Sequence, residues 1–262
     1  EALHLDVKVE GPLSDVLDII NHKPLEYASY GNIDPKTTKG EGDVALHIAF
    51  PLLADLEFKD VKISAKGGFK KITLNRKITE ELTAHFTQGD LTLDLTHEQM
   101  VIKGQGVLNE LPSTLTYEHL FKEGAPYELQ LKVETHASFE DFKRLGFDYK
   151  DYGQGPTRTS LTYTLEKDQK SHLSMNLDIT PSTLSFPPLE WKKNPGEKGA
   201  LSFVLVFEGG RLSKMKDLKL FSNPYSLKGE IYFDPHKNWK TIQLSEFKGP
   251  HTATQVILHT PH

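Results

Sequence analysis

The chain has 262 residues, a net charge of −5 and no cysteine, which excludes a disulfide framework, thiolate catalysis and thiolate zinc sites. Hydrophobic residues make up 37%, aromatic residues 10% and charged residues 26%, too apolar a mixture for a disordered chain. Lysines are scattered in ones and twos within an acidic whole, so no field is present to attract nucleic acid.

In chain order, the first element is an alternating run, Leu3, Leu5, Val7 and Val9, which predicts a strand. A helix is predicted from Ser14 to Ile20, introduced by Pro12 and stopped by Pro24. Alternation returns at Val44, Leu46, Ile48, Phe50, at Leu91, Leu93, Leu95, and at Tyr127, Leu129, Leu131, Val133. A second helix is predicted from Ser138 through Phe139, Phe142 and Leu145 to Gly146. Further strands follow at Leu161, Tyr163, Leu165, at Leu173, Met175, Leu177, Ile179, and at Leu227, Gly229, Ile231, Phe233. The run 201–207, LSFVLVF, is apolar on both faces and calls for additional cover, and Val256 and Leu258 close the series. Turns are predicted at Gly67-Gly68, Gly89-Asp90, Gly104 to Gly106, Gly209-Gly210 and Asp234-Pro235, and YGQGP at 152–156 reads as a further turn.

Short strands at this spacing indicate antiparallel meanders, about fourteen strands in one β domain covering 1–262. The segments 89–118 and 218–244 share a loose rhythm of strand, turn and strand that hints at a repeat. Because alternation runs up to both ends, the expectation is a piece of a longer protein; no apolar run reaches the ~20 residues needed to span a bilayer.

Catalytic signatures are missing: GxSxG, HExxH, GxxxxGK[ST] and GxGxxG after a strand do not occur. The chain is read as non-enzymatic, with no cofactor and no metal. His251, His259 and His262 are near in sequence but too far apart on an extended strand to share an ion. Asp141, Asp148 and Asp151 lack the alternating ligand loop of a calcium site. For the apolar alternation two readings stand. A packed core is what periodicity alone favours. An open apolar face is favoured by having two short helices to cover some fourteen strands.

The phrase VKVEGPLSDVLDIINHKPLEYASYGNIDPKTTKGEGDVALHIAFPLLADLEFKDVKISAKG resembles the AsmA-like envelope proteins of the YhdP and TamB type. The resemblance rests on Gly11, Pro12, Leu13, Asp15, Val16, Leu17, Pro24, Leu25, Tyr27 and Ala28, then on Ile33, Asp34, Pro35 and Gly40. Phe50 to Leu53, Asp55 and Leu56 add to it, as does PPLEWKKNPGEKG at 187–199. It covers most of the chain and is weakest from about Glu118 to Gln154.

The resemblance implies an elongated, twisted and curled antiparallel sheet, a trough with an apolar interior and one or two short helices. It implies a segment of a lipid-transfer conduit that accommodates phospholipid acyl chains between the inner and outer membranes. The full-length protein would be periplasmic and anchored in the inner membrane of a Gram-negative bacterium. The groove candidates are Leu91, Leu93, Leu95, Leu129, Leu131, Val133, Leu161, Tyr163, Leu165, Leu173, Met175, Leu177, Ile179, Ile231 and Phe233. The alternative is a non-catalytic envelope scaffold that binds a protein partner through a β edge.

Overall fold

The structure, a computed structural model, describes residues 2–21, 37–52, 61–77, 83–122, 124–144, 152–168, 170–186, 191–234, 238–250 and 252–259. It is all-β, with a fourteen-stranded antiparallel sheet that is not closed, a small three-stranded sheet and two short helices. The β domain read from the sequence comprises two compact units, Glu1–Leu129 and Gln130–His262.

Unit 1 contains β1 (Ala2–Pro12), α1 (Leu13–Asn21), β2 (Lys39–Pro51), β3 (Lys62–Lys77), β4 (Thr83–Leu95), β5 (Gln99–Leu108) and β6 (Leu111–Leu120). Each strand pairs antiparallel with its neighbours in sequence. Period-two patterning then assembles one apolar face. Val9, Val44, Gly67, Leu93, Ile102 and Tyr117 stand side by side in one row. Val7, Leu46, Ala65, Leu95, Met100 and His119 form the next. Helix α1 starts one residue before Ser14, and its buried Leu13, Val16 and Leu17 cover this face where Val16 and Phe69 close over Gly42. Pro24 lies outside the described residues.

Three predicted turns are corrected. Gly67-Gly68, Gly89-Asp90 and Gly104 to Gly106 sit inside β3, β4 and β5, not between strands. The reason is close approach: a Cβ at Gly89 or Gly106 would run into the ring of Phe86, itself 3% exposed. The chain reverses instead at Asn109-Glu110, with φ of 47° and 69°, while the Asn109 carboxamide oxygen accepts from the His85 N–H at 2.8 Å. Gly209-Gly210, with φ of 57° and 75°, is the hairpin turn that the sequence predicts.

Unit 2 takes up β7 (Leu129–Ser138), α2 (Phe139–Arg144), β8 (Gly153–Gln154), β9 (Pro156–Leu165) and β10 (Ser171–Asp178). It continues with β11 (Thr183–Phe186), β12 (Trp191–Lys193), β13 (Gly199–Glu208), β14 (Arg211–Ser222), β15 (Tyr225–Phe233), β16 (Trp239–Gly249) and β17 (Thr252–His259). Strands β12, β11 and β8 form the small sheet, and the others belong to the large one. Helix α2 begins after Ser138, as expected, and closes a capping box there: the Asp141 N–H donates to Ser138 Oγ at 3.2 Å and the Ser138 N–H to Asp141 Oδ2 at 2.8 Å. Leu145 and Gly146 are outside the described residues. The 152–156 turn is a two-residue strand, β8, followed by Gly155 at φ 89°.

Strand β13 resolves the doubly apolar run. Leu201, Phe203, Leu205 and Phe207 alternate with Ser202, Val204 and Val206, and the buried Val206 is flanked in its row by His172 and Lys214.

Candidate functional site

Seven strands of unit 2 lay their apolar side chains on one face. Tyr163, Leu173, Leu205, Met215, Ile231, Ile242 and Leu258 face one another in a single row from β9 to β17. Thr159, Leu177, Leu201, Leu220, Leu227 and Phe247 form a second row. At ~4.8 Å per strand the first row runs for about 30 Å.

Two irregularities in β14 keep it on this face. Its register slips against β13 and again against β15 between Met215 and Leu218, where Asp217 has φ 54°. The slips bring Leu212, Met215, Leu218 and Leu220 to the apolar side and Lys214, Lys216 and Lys219 to the other. Gly229, opposite the slip, lies so close to the Gln243 carbonyl and Leu244 that no Cβ fits.

Along the first row burial is deepest at Leu205, 4% exposed; Tyr163, Leu173, Met215, Ile231 and Ile242 are half-buried, and Leu258, at the far end, is 47% exposed. One end of the face is closed by the small sheet. Trp191 meets Tyr225 edge-on with ring centroids 5.4 Å apart, and Tyr225 lies 6.2 Å from Phe247. Two residues on from Trp191, Lys193 is fully buried, and its Nζ donates to the carbonyls of Thr180, Ser182 and Asn194 at 3.0, 2.9 and 3.1 Å. Desolvation pulls its pKa below the ordinary lysine value, with Glu197 and Asp178 acting the other way. The opposite surface of these strands is polar, with Lys214–Glu230 and Lys228–Glu246 pairs at 3.3 and 3.2 Å.

Unit 1's apolar face is sealed through its middle, where Leu93, Leu95, Met100, Tyr117 and His119 are 8%, 5%, 9%, 9% and 6% exposed. Burial lowers the pKa of His119, partly opposed by Glu128, and the hydrogen bond from Tyr127 to Glu118 pushes the phenol up to about 12. A depression of about 640 Å³ over β1 to β4 has Ala45 and Ser64 among its lining, with Asp6, Lys8, His47, Lys66 and Asp94.

The sequence-predicted groove residues divide accordingly. Leu93, Leu95, Leu129, Val133, Met175, Leu177 and Ile179 are buried, whereas Leu91, Leu131, Leu161, Tyr163, Leu165, Leu173, Ile231 and Phe233 are half-buried. Ile179 lies beyond β10 against Gly199 and Lys193, at the closed end. Met215, Leu218, Leu220, Ile242, Leu244 and Phe247 belong to the same face and do not stand out by alternation, because the slips in β14 and β16 break its phase. Their signal is a change of spacing, Leu212 to Met215 to Leu218 to Leu220.

Among the described residues no three His, Asp or Glu side chains are placed to hold a metal ion. His259 pairs with Thr241 at 3.2 Å, while His251, His262, Asp148 and Asp151 lie outside those residues. No described helix is long and apolar enough to cross a membrane. Comparison with protein-family models, curated proteins and solved structures found no match. Of the stretches carrying the resemblance, Pro12 to Leu17 forms the β1–α1 junction and Trp191 to Gly199 forms β12, the turn after it and the first residue of β13; residues 24–35, 53–56 and 187–190 are outside the described set.

Proposed function

We propose that this chain holds lipid acyl chains along the apolar face of unit 2, as a segment of an AsmA-like lipid-transfer conduit. The reading is carried by the row from Tyr163 to Leu258, apolar on every strand and half-buried over most of its length. Each CH₂ removed from water on such a surface contributes roughly 0.8 kcal/mol. A 30 Å row exceeds the ~15 Å depth of one leaflet of a bilayer's hydrocarbon core, so an acyl chain can lie along it. The mechanism is passive: no bond is made or broken, and headgroups stay in water beside the rim. A periplasmic place between two membranes, with an inner-membrane anchor in the full-length protein, follows from the sequence resemblance.

Native mass spectrometry of the purified chain, with lipid extraction, tests the proposal. Co-purified or added phospholipid is expected at a defined stoichiometry. Ile231→Glu, between Met215 and Ile242, is expected to abolish uptake with an unchanged urea midpoint. Leu205→Glu, at a sealed position, unfolds the unit instead. A folded chain that takes up no fluorescent phospholipid sinks the proposal.

A further inference from the structure

The apolar face of unit 2 ends differently at the two ends of its strands. Along β15 it runs from Tyr225 to Phe233, a stretch of about 26 Å. At the Tyr225 end the sheet's own positions are small: Gly199 stands opposite Ser222, Ser222 opposite Tyr225, and the Tyr225 ring covers Gly249. Strand β12 fills the space. Alternation puts Trp191 and Lys193 on one side of β12 and the exposed Lys192 on the other. The Lys193 stem occupies the place a Cβ at Gly199 would take, and Trp191 lies against Tyr225. The bonds from Lys193 Nζ to the Thr180 and Ser182 carbonyls tie β12 down, so Trp191 is a fixed wall. At the other end Phe233 stands opposite Trp239, which is 40% exposed.

A lipid has the same asymmetry, a dry methyl end and a wet headgroup end. Across the strands the sheet continues, β9 onto β7, whereas along them it passes from a walled end to an exposed one. The rings of Trp191, Tyr225 and Phe247 are each half-buried, which leaves part of their surface for an apolar end to rest on.

We propose that Trp191 is the stop for the methyl ends of acyl chains, which lie along the strands of unit 2 with their headgroup ends at Phe233 and Trp239. The proposal rests on the lipid reading above and adds a direction and a length limit to it. A run of about 26 Å exceeds the ~15 Å depth of one leaflet's hydrocarbon, so chains of membrane length fit between the stop and the open end.

The chain's two tryptophans mark the two ends and report on them. Trp191 is read alone in Trp239→Phe, and Trp239 alone in Trp191→Phe. The probes are phosphatidylcholines carrying a fluorescence-quenching doxyl group near the methyl end or near the carbonyl of a stearoyl chain. The methyl-end label is expected to quench Trp191 severalfold more than the carbonyl-end label, and the order is expected to reverse for Trp239. Bound lipid that quenches Trp191 equally from both positions, or more from the carbonyl end, overturns the proposal and leaves the lipid reading standing. A chain that binds neither probe overturns both. Native mass spectrometry with a ladder of saturated phosphatidylcholines, dimyristoyl to dibehenoyl, gives a second measurement. Trp191→Ala is expected to favour the longer chains by about tenfold, as two further methylenes leave water. A folded variant with an unchanged length profile overturns the stop. If the variant misfolds, the unsubstituted chain decides: an upper limit to bound chain length supports the stop, and its absence overturns it.

Discussion

Lys193 is an ammonium group without water. Its three N–H groups donate to three carbonyls, and its burial lowers its pKa, so the bonds and the desolvation act against each other. Lys193→Met keeps the length and leaves those carbonyls without their donor; a loss of about 2–4 kcal/mol in urea unfolding is expected. His119 shows the same physics with a consequence for pH. Its folded pKa is below 6.5, so the unfolded chain takes up the proton first as pH falls. Stability present above pH 6.5 is therefore lost as pH falls from there through the lower folded value, then stops changing. Melting curves from about pH 7.5 to about pH 5 are expected to fall less steeply for His119→Phe than for the unsubstituted chain.

At the scale of single elements, side chains closing over glycine decide what the strands look like. Phe86 lies over Gly89 and Gly106, so these glycines are strand positions although glycine is a turn residue in most contexts. Gly106→Ala is expected to destabilise unit 1 in chemical denaturation. Phe86→Leu in the same chain is expected to recover part of the loss, whereas Phe86→Ala alone costs about 3–5 kcal/mol. The same elements mark where sequence reading stops. Ser138 was legible as a helix start because capping is local, and the structure adds Asp141 as its reciprocal partner. The reversal at Asn109-Glu110 was not, because the contact deciding that Gly104 and Gly106 stay in a strand comes from β4. The lysine-bearing β14 hid Met215, Leu218 and Leu220 for a related reason: the bulge at Asp217 is invisible to a fixed period.

For the whole molecule, the fold class was legible because alternation with short spacings permits little besides antiparallel β-sheet, and an open antiparallel sheet is what forms. Which apolar positions stay accessible was not legible. Leu93 and Ile231 occupy equivalent places in their alternations, yet one is 8% exposed and the other half-buried. That difference depends on what lies over a face, which the period along a strand does not encode.

The pairing order of unit 1 has a mechanical consequence. Among the described residues, the strands from β1 to β6 pair with strands adjacent in sequence. A load applied through the two ends of this unit acts across the ladders and opens them one pair of hydrogen bonds at a time, so no ladder is sheared as a whole. Unit 1 is a zipper under tension, lengthening hairpin by hairpin at low force.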